Sequence, residues 1–440
     1  MASSLRHFST NITTTQKISI SISKAKSKLR TEHDPDKALA IYSAASNNDS
    51  SPAASRYAQD LTVRRLAKSH RFTDIESLIE SRKTDPKIKQ EPFLSSLIRS
   101  YGVAGMFDQA MKTYHQMDQL GTPRSSISLN ALLSACIQSR LYNKVPVLFD
   151  EISEKYRVLP DKVSYGILVK SYCEDGKPDK ANEVLREMEK KGVEVTTVVY
   201  TTVLNCLYSM GKDEEAERFW HAMVKRGCEL DAAVYNVKIS NAMKQGPERV
   251  KELIEDMENS ALKPDTISYN YLITSYCMNG MMEDAKKVYE RLERYGSKAN
   301  AATFRTLVFH LCKNGEYEKG YKLFKESVRV HRIPDFNTLK YLAEGLAEKK
   351  KMKEAKGLIR TMKKKFPPNL LNAWKKVEEH LGLHSPEEDK ELARGADNLG
   401  WEALHYRVLQ EVMAKNVLLN FFFFFFSILS LKYKRCGCVG

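Results

Sequence analysis

The chain repeats itself about every 35 residues, and no other feature limits its fold so severely. Large apolar anchors at Leu94, Leu129, Tyr165, Tyr200, Tyr235, Tyr269, Phe304 and Leu339 are spaced by 35, 36, 35, 35, 34, 35 and 35 residues. Eleven residues after six of them stands a glycine: Gly105, Gly176, Gly211, Gly246, Gly280 and Gly315. The residue just past a helix C-terminus often takes positive φ, which glycine adopts without a Cβ clash, so each glycine ends a helix of about three turns. Ala110, Ala181, Ala216, Ala285 and Ala355 recur sixteen residues after the anchor, and Met117, Met188, Met223, Met257 and Met362 follow about seven later. Small and then large apolar residues suit a second helix crossing the first closely, and Gly121, Gly192, Gly227 and Gly296 close that helix.

Each module is therefore a helical hairpin with too little apolar area to fold alone, and stacking buries one continuous core. The expected fold is an all-α, right-handed α-solenoid of about nine hairpins over residues 56–370, the first of them diverged. A length of 440 residues would suggest two or three globular domains, but an array grows by adding modules. Residues 32–55 read as a linker with a partial helix at 36–44. Residues 371–383 read as an amphipathic capping helix, and 384–416 as a polar loop and C-terminal helix.

The net charge of +15 favours anionic partners, but much of it lies at the ends. Residues 1–31 hold six basic residues, twelve serines or threonines and no acid, the composition of an organellar transit peptide; a mitochondrial address is preferred to a chloroplast one. Residues 417–440 form an apolar and basic tail with six consecutive phenylalanines at 421–426. Its fifteen-residue apolar run is short of the roughly 20 residues a spanning helix needs. Translation of a non-coding polypyrimidine tract explains it better, and a membrane partner follows only if the tail is native. Without both ends the chain carries +6, so a case for nucleic acid must rest on pattern.

Cys173, Cys277 and Cys312 each lie eight residues after an aromatic anchor, which marks a buried helical phase and core packing. Cys436 and Cys438 lack the partners of a zinc site. No P-loop, Gly-x-Ser-x-Gly, or deaminase pairing of His-x-Glu with Cys-x-x-Cys occurs, so neither enzyme activity nor a cofactor is expected. Glu214 with Glu215, and Glu283 with Asp284, open second helices, where the helix dipole explains them.

Two repeat families share this period. Tetratricopeptide repeats place a glycine four residues after an aromatic, where this chain has Val169, Leu204, Ile239 and Ile273. The segments PDKVSYGILVKSYCEDGKPDKANEVLREMEKKG (residues 160–192) and PDTISYNYLITSYCMNGMMEDAKKVYERLERYG (264–296) instead resemble pentatricopeptide repeats of the P class, the type of plant organellar proteins. The resemblance covers most of the chain.

That resemblance implies single-stranded RNA as partner, with one nucleotide bound per module. The base would be read by the residue after the anchor and the residue four before the next anchor. Carried over, the pairs are Asn130 with Asp161, Thr201 with Asp231, Asn236 with Asp265 and Asn270 with Asn300. They imply U, G, U and a pyrimidine, with Ile127, Val198 and Ile267 wedging against bases. Ser95 with Ser125, Gly166 with Thr196, and Arg305 with Asp335 depart from the pattern, so a long specific site is not expected. The acidic members of the pairs also stand where a helix N-cap belongs, and a cross-module hydrogen bond would satisfy the asparagines. For phosphate contacts nine residues after the anchor, only Lys244 and Lys313 qualify. The expected function is occupancy of mitochondrial transcripts, in stabilisation, processing or translation. The alternatives are a structural component docked on the mitochondrial ribosome or another ribonucleoprotein, and a peptide-binding surface.

Overall fold

The computed structural model describes residues 20–32, 34–46, 52–365 and 368–383. They fall into two units, Met1–Pro160 and Asp161–Gly440. The described part of the first unit is four hairpins: α1 (Ile22–Thr31) with α2 (Pro35–Ser46), α3 (Pro52–Lys68) with α4 (Phe72–Arg82), α5 (Glu91–Val103) with α6 (Phe107–His115), and α7 (Ser126–Gln138) with α8 (Lys144–Tyr156). The second unit opens with α9 (Lys162–Glu174) and α10 (Pro178–Lys190), then α11 (Thr197–Ser209) and α12 (Asp213–Lys225), α13 (Ala232–Ala242) and α14 (Pro247–Asn259). It continues with α15 (Thr266–Met278) and α16 (Met282–Arg291), α17 (Ala301–Lys313) and α18 (Tyr317–Arg329), α19 (Phe336–Glu348) and α20 (Met352–Lys365), and ends on α21 (Pro368–His380). No strand occurs among the described residues. Within each unit first helices pack on first helices in succession, as a helical-repeat solenoid requires.

Ten hairpins are present among the described residues where nine were expected, the extra one at the N-terminal end. Helix α1 lies inside the stretch assigned to a transit peptide, and it completes a hairpin with the helix placed alone in the 32–55 linker. Ala25, Leu29, Ala38 and Ala45 are fully buried in this hairpin. The Arg65 guanidinium of α3 donates to the Leu29 and Glu32 carbonyls, satisfying the end of α1. The repeat was missed there because α1 is only ten residues long and ends on Glu32 in an extended conformation with no glycine to mark it, while the next module is diverged because Gln59 replaces the apolar anchor of α3 and hydrogen-bonds Tyr42 and Ser100. Residues 1–19 and the expected features at 384–440, including the phenylalanine run, lie outside the described residues.

Backbone geometry repeats more faithfully than sequence. The glycines eleven residues past the anchors adopt positive φ, for example 72° at Gly176 and 73° at Gly211. Where a module lacks that glycine, His70, Arg140 and Lys350 occupy the same phase at 56°, 59° and 59°. At the close of second helices, Arg157, Ala261 and His331 likewise stand in for glycine at 53° to 58°. Stacking energy holds these residues in a conformation that costs an L-residue about 1–2 kcal/mol. The small-then-large pattern faces inward: Ala181, Ala216, Ala285 and Ala355 are fully buried, and Met188, Met223, Met257 and Met362 nearly so.

The capping helix is present as α21. Trp374 and Val377 join the core of the last hairpin with Leu339, Leu342, Leu358 and Ile359, and Trp374 meets Phe336 edge-on at 4.9 Å. A buried Lys363–Glu378 ion pair at 2.6 Å ties α20 to α21. The cysteines follow the core expectation at Cys277 and Cys312, whose thiols burial pushes up to about 12. Cys173 is only partly buried, at the edge of that phase.

Candidate nucleic-acid interface

From α13 to α19 each first helix starts from a polar N-cap whose side chain accepts from the leading amides, because four leading N–H groups need acceptors. Asp265 accepts from the Ile267 and Ser268 amides at 2.8 and 3.0 Å, and the Ser268 hydroxyl closes a capping box on the Asp265 amide at 3.2 Å. Asn300 does the same for α17 with Thr303, and Asp161 for α9 with Ser164. Asp231 and Asp335 cap α13 and α19 through single amides, at 2.9 and 3.1 Å. Capping is thus a real role of every acidic residue in the implied pairs.

Two of those pairs are brought into contact. The Asn236 amide donates to Asp265 Oδ1 at 3.2 Å, and its carbonyl accepts the Ser268 hydroxyl at 2.7 Å. One module on, Asn270 donates to Asn300 Oδ1 at 3.3 Å and accepts the Thr303 hydroxyl at 2.6 Å. Asn236 is 7 % exposed, while Asn270 is half-buried. Each asparagine therefore bridges its own first helix to the cap of the next. Two hydrogen bonds use half of a carboxamide's capacity, which is two donors and two lone pairs.

The other implied pairs differ. Thr201 turns its hydroxyl to the Thr197 carbonyl of its own helix at 2.7 Å, with Asp231 exposed. Asn130 is 6 % exposed on α7 in the first unit, whereas Asp161 belongs to the second. The departures also have physical substitutes. Arg305 lies 3.9 Å from Asp335 as an ion pair. In the α5 module the buried Ser95 hydroxyl has no partner among the described residues. Glu91 there reaches across to accept from the Ser125 amide and hydroxyl and the Ser128 amide at 2.6, 2.8 and 3.0 Å. At Gly166 an added Cβ would meet only Val199, at ordinary contact distance, so space does not demand glycine there.

Ile127 and Val198 stand 43 % and 73 % exposed, unusual for such side chains, and Ile267 is partly exposed. Val163 occupies the same phase and is 52 % exposed; it escaped notice because its module lacks a readable pair. A shallow recess of about 320 Å³ beside the Asp265 cap is lined by Lys263, Thr266, Ser297 and Lys298. Both lysines are exposed. They were missed because they precede the helix instead of lying nine residues past the anchor, where Lys244 and Lys313 are also exposed.

Comparison with known proteins agrees with this architecture. The PPR repeat family matches residues 160–208, 195–244 and 264–313, and the PPR repeat itself matches 94–122, 127–156 and 302–330. The chain is 62 % identical to the Arabidopsis thaliana small ribosomal subunit protein mL103 (rPPR7), over 83 % of this chain and 89 % of that protein. It is 59 % identical to a mitochondrial pentatricopeptide repeat-containing protein of the same plant, over 87 % of this chain and 92 % of that one. Among solved structures, the pentatricopeptide repeat protein PPR10 from maize aligns with a TM-score of 0.41 and 17 % identity, over 78 % of this chain and 57 % of that one. Relatives this close, matched over nearly their whole length, make the chain a member of the pentatricopeptide repeat family.

Proposed function

We propose that this mitochondrial protein holds single-stranded RNA by occupancy and acts in translation, as a constituent of the small ribosomal subunit. The observation that carries the reading is the 62 % identity to a small ribosomal subunit protein, 89 % of whose length the match spans. A match of that identity and extent supports a shared place of docking. The basic, acid-free start of the chain is read as the address that delivers it to the organelle.

RNA contact of limited selectivity fits the geometry. Within the second unit the pairs Thr201–Asp231, Asn236–Asp265 and Asn270–Asn300 are the proposed base-edge contacts, flanked by Val163, Val198 and Ile267, and within the first unit Asn130 and Ile127 are the proposed contacts. The asparagines at 236 and 270 keep half their hydrogen-bonding capacity for a base edge. Lys263 and Lys298 are placed to meet a phosphate beside the Asp265 cap. An interrupted row with few cations suits holding a strand in place better than searching for a long sequence, and the reading requires no bond to be made or broken.

Sedimentation of tagged protein from mitochondrial lysate through a sucrose gradient tests it. Co-migration with the small-subunit ribosomal RNA is expected, persisting after the subunits are separated by magnesium chelation. Protein confined to the top of a gradient whose small-subunit peak is intact would sink the reading. A second reading, binding to messenger RNA away from the ribosome, is favoured by the two consecutive bridged pairs of α13 and α15. Crosslinking in isolated mitochondria with sequencing of the attached RNA separates the two, because one predicts ribosomal and the other messenger sequence.

A further inference from the structure

The second helices change charge along the second unit. Counted over their spans, α10, α12 and α14 carry net −1, −2 and −3, α16 is neutral, α18 is +2 and α20 is +5. Residues 349–365 hold nine lysines or arginines and a single acid, Glu354, a net +8. Residues 20–383 carry a net +13, so this stretch supplies more than half of the positive charge between the first described helix and the last.

These charges share a side. Lys353, Lys356 and Arg360 are exposed and follow one another at i, i+3 and i+7, within about 60° of arc at 100° per residue. The opposite flank of α20 is the buried face of Ala355, Leu358, Ile359 and Met362. Lys349 and Lys350, exposed in the turn before α20, extend the stripe. Ion pairs quench little of it: Lys351 is held by Glu318 at 2.6 Å and Lys363 by Glu378, but no described carboxylate pairs with Lys349, Lys350, Lys353 or Lys356. On α14 and α16, by contrast, Arg249, Lys251, Lys286 and Lys287 are paired with Glu252, Glu255, Glu290 and Asp284.

We propose that this stripe is a second RNA-binding surface, which docks the phosphate backbone of a folded, double-stranded RNA segment. A row of fixed cations without aromatic residues between them has nothing on which to stack an unpaired base, and it matches the way duplex RNA is held through shape and phosphates. The surface is separate from the asparagine row, which lies where one first helix meets the next. It therefore stands or falls independently of the ribosomal assignment.

The test uses the full chain and a blunt 20-base-pair RNA duplex, followed by fluorescence anisotropy from 50 to 200 mM KCl. Wild type should bind, with log K falling against log salt at a slope of about −3 to −4, as expected for about four neutralised phosphates. The combined substitution of Lys349, Lys350, Lys353, Lys356 and Arg360 by Gln should weaken duplex binding at least about tenfold and flatten the slope to about −1 or less. Far-UV circular dichroism should remain unchanged, because all five positions are exposed. Removing three cations from α16 (Lys286→Gln, Lys287→Gln, Arg291→Gln) should leave duplex binding within about twofold, which separates the stripe from net charge. Unchanged affinity in the five-fold variant would overturn the proposal. So would equal losses in the two variants, or tighter wild-type binding to cardiolipin-containing vesicles than to the duplex.

Discussion

The modules opened by α5 and by α13 meet the same structural demand with different atoms. In both, a side chain of one first helix must reach the start of the next, whose leading amides need acceptors. At α13 the bridge is Asn236, one residue past the anchor, which bonds the Asp265 and Ser268 side chains while Asp265 itself accepts the leading amides. At α5 it is Glu91, three residues before the anchor, which binds the α7 start directly while Ser95 is left without a partner. The asparagine bridge retains donor and acceptor capacity at the position from which a base is read. The glutamate bridge spends both carboxylate oxygens on the cap. A module's ability to read RNA thus depends on which residue was recruited to hold the stack together, and the readout asparagines are structural parts as well.

The largest effect is expected where the bridge is fully consumed. Glu91→Ala strips three hydrogen bonds from a site 7 % exposed and leaves donors of Ser125 and Ser128 unpaired, for a loss of about 3 kcal/mol. Hydrogen exchange at residues 125–128 under increasing urea would show it, and a loss below about 1 kcal/mol would break the claim that Glu91 is the bridge. Asn236→Ala should cost about 1–2 kcal/mol of stability by the same measurement. It should also cost about 1–3 kcal/mol of affinity for a selected RNA, by analogy with other base-edge contacts. A stability loss with no change in RNA binding would make the asparagine bridge purely structural. Asp265→Asn sharpens the division, since asparagine caps a helix about as well as aspartate. Stability should stay within about 0.5 kcal/mol, while the base preferred at that module, found by selection from a random pool, should change.

Much of the fold was legible because glycine, alanine and methionine recur at fixed offsets, and each type answers a geometric demand: positive φ, close helix approach, or filling of an irregular gap. The first hairpin was hidden because α1 is only ten residues long and ends on Glu32 in an extended conformation, with no glycine to mark the turn, and the second is diverged because Gln59 replaces its anchor and His70 its glycine. At the interface, the resemblance to pentatricopeptide repeats named both bonded pairs, Asn236 with Asp265 and Asn270 with Asn300. It did not reveal that Ser268 and Thr303 would engage the asparagine carbonyls. Those hydroxyls serve the cap of their own helix, and only stacking brings the previous module's asparagine within reach. The basic stripe escaped for a different reason: net charge was judged over residues 32–416 as one body, where the acidic α12 and α14 cancel α20.

The smallest expected effect isolates the backbone from everything else. Ala261 closes α14 at φ 58°, at the phase where Gly227 closes α12 at 70°. An added Cβ at Gly227 meets nothing within 4 Å, so no neighbour complicates the exchange of these two residue types. Relief of the left-handed conformation favours Ala261→Gly, and the greater freedom of glycine in the unfolded chain opposes it. The net should be a gain of roughly 0.5–1 kcal/mol, with Gly227→Ala losing a similar amount, both read from urea unfolding of the full chain. The two changes should be equal and opposite if the hairpin turn is set by stacking and merely tolerates its residue. A large loss on Ala261→Gly would instead mean that the alanine methyl contributes packing, and that the α13–α14 module differs from its neighbours in more than its bridge.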